Sequence, residues 1–345
     1  MAETRIQNAL ASYIHLHFSS GTRGNLCRKR AEDEAEASLE GGRGMLTSFT
    51  RAAALIGLCV LACDPVMASR ELKDELGRRV TLPDNPQRIV CLAPSLTETV
   101  YALGAGAAVA GVTDFTGDPP EARTKPSVGG LTDALLEKII SLRPDLVLAM
   151  GTLNREETVD ELEQVGIPVF VVDPRGLQGV LESIQHVGDA LNRSRDAAQL
   201  VKRLEAQWAA VAARVEGRPR LKVLVVIWYD PVVTAGRGSF ITDVIAAAGG
   251  ESATADLDQA WPQITLEEVL RRSPDFLLLV RSAHGGISLE DLEAHSGWDQ
   301  LAAVKNHRVI YMGERLIHPS PVIFEALGQF AKEFHPDAFQ AGAQK

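Results

Sequence analysis

The chain has 345 residues, 46% of them apolar and 23% charged, a balance that supports two modest globular cores and excludes both a disordered chain and a membrane bundle. Its net charge of −10 argues against nucleic acid as a partner, since phosphate recognition needs a basic surface. Of four cysteines only Cys91 falls in the expected folded body, so packing and not a disulfide framework has to hold it together.

Residues 1–44 carry clustered charge (Arg28, Lys29, Arg30, then Glu32, Asp33, Glu34, Glu36) without a sustained apolar period, and read as a leader outside the mature protein. Residues 45–68 read as a signal peptide. Met45 is the expected start, Arg51 the positive flank, and Ala52–Ala62 an uncharged core too short to span a bilayer. Two processing sites compete: Val66-Met67-Ala68 before Ser69, or Val60-Leu61-Ala62-Cys63 with Cys63 lipidated. A buried N-terminal helix is the bland alternative.

Short apolar runs then alternate with amphipathic stretches. Strands are expected at Arg88–Leu92, Ala108–Val112, Leu146–Met150 and Val169–Val172, with helices between, in an αβ lobe over 84–175. A connection over 176–218 follows, in which Leu200, Val201, Leu204, Trp208, Val211, Ala212 and Val215 recur at helical spacing and predict one long helix over Asp196–Val215. A second lobe is expected over 219–340, with strands at Val223–Ile227, Phe276–Val280 and Val309–Tyr311 and helices near Phe240–Ala248, Leu266–Arg272 and Pro321–Phe334. Such alternation argues for mainly parallel sheets flanked by helices. The lobes also repeat each other: Leu135–Leu148 aligns with Thr265–Leu278 at a constant offset of 130, each a helix broken by Pro-Asp (Pro144-Asp145, Pro274-Asp275) that runs into a strand. The fold expected is α/β, two αβ lobes joined by a long bridging helix with a cleft between them.

Arg88–Glu98 (RIVCLAPSLTE), Asp118-Pro119-Pro120, Val128-Gly129-Gly130, Pro144–Val147, Gly236–Gly250 and Trp261-Pro262-Gln263 resemble, in order and spacing, the cobalamin and iron-chelate binding proteins, the class III periplasmic receptors with a helical backbone. Coverage runs from about residue 84 to 336. The Trp261–Thr265 stretch is most similar to the cobalamin receptors. The resemblance implies a monomeric periplasmic or extracytoplasmic component of an ABC importer, possessing no catalytic residues and no cofactor. It would carry a cobalamin-like metal chelate, or alternatively haem or a ferric siderophore, to a permease dimer with its ATPase.

The family's docking glutamates correspond to Glu137 and Glu267, one per lobe. Each also reads as an ordinary acidic residue in a first helical turn, where Thr265 with Glu268 predicts a capping box. Trp261, held extended by Pro262 and expected off the core, is a candidate plane against a macrocycle or a packing residue. Phe115, and Trp228-Tyr229 at a strand's end, are either ligand walls or lobe packing. Leu131 and Met150 stand where close relatives carry aromatics, and Met150 is retained as a ligand contact. Gly236-Arg237-Gly238-Ser239 opens a helix, with Arg237 a candidate contact to polar ligand groups. Glu314, Arg315 and His318 follow a strand in a loop from which the family contacts ligand; His318 is either an axial ligand or a solvated side chain. No His-Glu-x-x-His, Gly-x-Ser-x-Gly, phosphate loop or Cys-x-x-Cys occurs, which leaves an exported hydrolase or chelatase as a remote alternative.

Overall fold

The computed structural model describes residues 68–282, 285–313, 316 and 318–340. The leader, the signal segment up to Met67, Cys63, Glu314 and Arg315 lie outside the described residues, within which no helix is long and apolar enough to cross a membrane.

The described chain opens with an antiparallel hairpin, β1 (Ser69–Lys73) and β2 (Arg79–Pro83), that the sequence reading did not anticipate. Its turn is fixed by the Asp74 carboxylate, which accepts from the amides of Leu76 and Arg78 at 3.1 and 2.8 Å. The first lobe follows: β3 (Ile89–Cys91), α1 (Pro94–Ala102), β4 (Val109–Gly111), α2 (Leu136–Ser141), β5 (Leu146–Met150), α3 (Glu156–Gln164) and β6 (Val169–Val172). All four of these strands are parallel, in the order β4-β3-β5-β6. The strands β3, β5 and β6 are buried throughout, as expected where helices cover both faces of a sheet.

Two helices then leave the lobe. The first, α4 (Gly176–Ala190), packs on α1 and β6, and the second, α5 (Ser194–Val215), is the bridging rod of 22 residues, about 33 Å at 1.5 Å per residue. They pack closely because position 188 is glycine: a Cβ there would collide with the Ala197 side chain. Arg70 of the hairpin donates to the carbonyl oxygens of Asp189 and Ala190, satisfying acceptors at the C-terminal end of α4.

The second lobe comprises β7 (Leu221–Val226), β8 (Trp228–Tyr229), β9 (Val232–Val233), α6 (Phe240–Ala247), β10 (Gly250–Ser252), β11 (Gln263–Ile264), α7 (Leu266–Arg272), β12 (Phe276–Ser282), β13 (Gly285–Gly286), α8 (Leu289–Ala294), α9 (Ala302–Lys305), β14 (Val309–Gly313), α10 (Ile323–Phe334) and α11 (Pro336–Gln340). Its main strands β10, β7, β12 and β14 pair parallel in that order. Numbered within each lobe, both sheets therefore run second-first-third-fourth.

The Pro-Asp joint makes the repeat physical. Both α2 and α7 are followed by a residue of positive φ, Arg143 at 46° and Ser273 at 49°, and both next aspartates fasten the lobe's first strand. Asp145 accepts from the amides of Gln87 and Arg88 at 2.7 and 2.9 Å, and Asp275 from that of Lys222 at 2.8 Å. Inner faces of the two sheets share one core that runs from Val80 and Leu82 through Leu200 and Leu204 of α5 to Phe330 of α10, while each outer face has a smaller core of its own. The lobes are thus joined by packed apolar surface as well as by the rod.

Candidate functional site

In a parallel sheet of this order, crossovers leave in opposite directions between the first and third strands, and ligands settle beyond the carboxyl ends there. The relevant edges are β3/β5 in the first lobe and β7/β12 in the second.

Asn154 builds the first edge. Its Oδ1 accepts from the Met150 amide at 2.7 Å, and its Nδ2 donates to the carbonyls of Leu92 and Leu131 at 2.9 and 2.8 Å. One side chain thereby ties together the ends of both strands and the loop that carries Leu131. The sequence reading passed over Asn154; an Asn four residues after a strand's last residue is the only local signal. Met150 is 3% exposed, its sulfur accepting from the Ser95 hydroxyl at 3.0 Å beside a cavity of about 10 Å³, which is room for one water. Its expected place on the ligand wall is corrected to a buried position behind it. Phe115 is half-buried in the loop after β4. Cys91 is fully buried at the end of β3, where burial pushes its thiol up to about 12 and leaves it unreactive.

Aromatic residues form the second edge. Trp228 and Tyr229 leave β7 half-buried, with ring centroids 5.5 Å apart at 28°, and the Trp228 indole N–H donates to the Asp230 carbonyl at 2.8 Å. The Tyr229 ring meets His295 edge-on at 4.5 Å. A small antiparallel sheet, β11-β9-β8, holds the pair in place.

Trp261 is a correction. It was expected off the core because Pro262 keeps it extended, yet it is 4% exposed, lies in the main core and packs edge-on against Phe240 at 6.2 Å. Extended backbone does not prevent burial when a helix start, here Phe240, supplies a wall. Arg237 bonds the carbonyls of Ala255 and Asp256 at 3.3 and 3.4 Å through its guanidinium and pairs with Asp258 at 3.0 Å, which braces that loop. Gly236 is required by the same loop, since a Cβ would run into the Gln259 carbonyl. His318 is not the solvated side chain that one reading expected: it is 13% exposed, with Nδ1 3.0 Å from Oε1 of Glu98 in the other lobe.

Glu137 and Glu267 are the second residues of α2 and α7, both exposed. Helices of a parallel sheet run against its strands, which puts both glutamates at the carboxyl-end pole of their lobes. Its own backbone amide and the Thr265 hydroxyl hold the Glu267 carboxyl below its ordinary value. The expected capping box is half-formed: Thr265 accepts from the Glu268 amide at 3.3 Å, but the Glu268 carboxylate turns to Arg271 and Arg272, and Arg272 continues to Asp256 at 2.6 Å. Near Glu137 in the chain two large apolar side chains are exposed, Leu135 at 53% and Ile140 at 38%. Among the described residues no group of three or more His, Cys, Asp or Glu is arranged to hold a metal ion.

Over 277 residues the chain is 31% identical to an uncharacterized ABC transporter substrate-binding lipoprotein, YvrC, of Bacillus subtilis, covering 78% of this chain and 86% of that one. It is 30% identical over 203 residues to the vitamin B12-binding protein of Salmonella typhimurium, covering 59% of this chain and 76% of the relative. The periplasmic heme-binding protein RhuT of Roseiflexus superimposes with a TM-score of 0.66 at 27% identity, covering 73% and 99% of the two chains. A family model for periplasmic binding proteins matches residues 89–316, more than half of the chain. The chain accordingly belongs to the periplasmic binding protein family, as an extracytoplasmic solute-binding protein that serves the permease and ATPase of an ABC transporter and is not an enzyme.

Proposed function

We propose that the protein captures a corrinoid, a flat macrocyclic metal chelate of the cobalamin kind, between its lobes and presents it to the permease. The stacked pair Trp228-Tyr229 carries this reading: two half-buried aromatic faces at the β7/β12 edge suit a planar, largely apolar ring system. The vitamin B12-binding relatives support it. In this reading Phe115 and Leu131 form the opposing wall, with Glu314 and His318 as further ligand contacts. Haem is the second reading, favoured by the likeness to RhuT and by His295 against Tyr229. Absorbance titration with cyanocobalamin, hemin and a ferric hydroxamate separates them; saturable one-to-one binding of cyanocobalamin alone is expected, and preference for either iron compound overturns the corrinoid assignment.

Glu137 and Glu267 are the docking points, one per lobe, a spacing that fixes orientation on a paired permease and favours encounter more than affinity. Exposed Leu135 and Ile140 beside Glu137 supply an apolar rim to that contact. Replacing both glutamates by alanine is expected to spare ligand affinity and impair uptake; the reverse pattern would reject the docking role. Residues 45–68 act as the export signal of a monomer with lobes 84–175 and 219–340 joined through 176–218, and the mass of the exported protein distinguishes a start at Ser69 from a lipidated Cys63.

A further inference from the structure

Two carboxylates reach across the seam between the lobes, one from each side. Glu98, in the middle of α1, is 6% exposed. It accepts from the Ser320 hydroxyl and lies 3.0 Å from Nδ1 of His318, both contributed by the second lobe more than 200 residues later in the chain. The stretch His318-Pro319-Ser320 is a tight turn, with the Ser320 amide donating to the His318 carbonyl at 2.8 Å. Pro319 lines the small cavity beside Ser95, Thr99 and Met150 of the first lobe, so the turn seats in that lobe by shape as well as by charge. Ser320 also starts α10, its hydroxyl accepting from the Val322 amide at 3.3 Å, and α10 packs on the bridging rod.

The second contact runs the other way. Asp243, an exposed residue of α6 in the second lobe, accepts from the Leu177 amide at 3.0 Å. That amide belongs to the first turn of α4, which has no side-chain cap of its own. A carboxylate at a helix start satisfies a stranded N–H and complements the positive end of the helix dipole. Gly176 has φ +67°, and a Cβ there would strike the Asp243 carboxylate.

The rod and the apolar core shared by the lobes hold them together without directional bonds, and two bonded contacts away from the rod add that direction. We propose that Glu98 and Asp243 are positioning residues that set the angle between the lobes, and with it the fit of the cleft to its ligand. The proposal rests on the cleft reading of the site, but its test requires no ligand, so the identity of the chelate cannot decide the outcome. Spin labels at Glu161→Cys in α3 and Lys305→Cys in α9, with buried Cys91 retained and the remaining cysteines changed to serine, report the inter-lobe distance by pulsed dipolar spectroscopy.

One narrow distribution is expected for the parent protein. Asp243→Ala is expected to raise the population of longer distances about tenfold, the scale of a lost hydrogen bond to a charged group. Asp243→Asn, which keeps an acceptor oxygen, restores the narrow distribution. Glu98→Ala acts in the same direction, and the double variant exceeds either. Because Glu98 is buried and its variant can fail to fold, exposed Asp243 decides: an unchanged distribution in a folded Asp243→Ala protein overturns the proposal.

Discussion

The two lobes share a frame and differ in what they mount on it. Strand order, the positive-φ residue after the helix and the Pro-Asp fastening of the first strand are common to both. At the carboxyl ends they part: a polar clamp, Asn154, governs one edge, while a stacked aromatic pair, Trp228-Tyr229, governs the other. Around Glu137 and Glu267 the contrast is also clear, since α2 has no side-chain cap and exposes Leu135 and Ile140, whereas α7 is capped by Thr265 and braced by Glu268, Arg272 and Asp256. The lesson is that backbone-fixing residues of the repeat constrain both copies, and chemistry at the strand ends is free to diverge.

The sharpest way to break that comparison is Asn154→Ala, which removes three hydrogen bonds at one edge only and is expected to cost about 3 kcal/mol by leaving buried backbone groups unpaired. Urea unfolding measures it, and a cost below about 1 kcal/mol would remove the clamp from the account. Next come the matched joints. Asp145→Ala loses two amide bonds and Asp275→Ala one, so about 2 against about 1 kcal/mol is expected; equal costs would mean that the joints are not loaded as the geometry indicates. Trp228→Ala should weaken cyanocobalamin binding about tenfold, the worth of an aromatic contact, measured on protein shown to be folded because the half-buried indole also packs on the main core. An unchanged affinity would take the indole out of the site.

The smallest effect separates the braced helix from the bare one by pH. Hydrogen bonds from Arg272 hold the Asp256 carboxyl below its ordinary value, and those from Arg271 do the same for Glu268. Groups depressed in the folded state stabilise fully above their unfolded value, and that contribution is lost as pH falls through the lower folded value. Acid titration of stability should therefore show a small decline at the low end of the carboxylate range, reduced in Arg272→Ala, which keeps the bonds from Arg271 to Glu268. Exposure and salt screening keep it modest.

Much of the frame was legible in the residues. β5, β6 and α7 fall on their expected bounds, and α5 begins two residues before its expected start, because continuous apolar runs and helical spacing record burial directly. Elements that owe their form to a distant partner were not legible. Gly250-Glu251-Ser252 has no strand character of its own and is extended by pairing with β7. Hairpin β1–β2 shows only four residues of alternation, Arg79 to Leu82. The site was harder still: burial of Trp261 depends on Phe240, the partner of His318 is Glu98 in the other lobe, and Glu268 leaves its cap for Arg272. Glu98 left one trace, a carboxylate inside the otherwise uncharged run Pro94–Ala102.

A crystal structure of the protein with cyanocobalamin tests the central claim most directly. The account predicts the corrin ring between the lobes, in contact with Trp228 or Tyr229 on one side and the β3/β5 edge on the other. A ligand bound on an outer face, or a cleft that stays closed around its own side chains while ligand binds elsewhere, would contradict it.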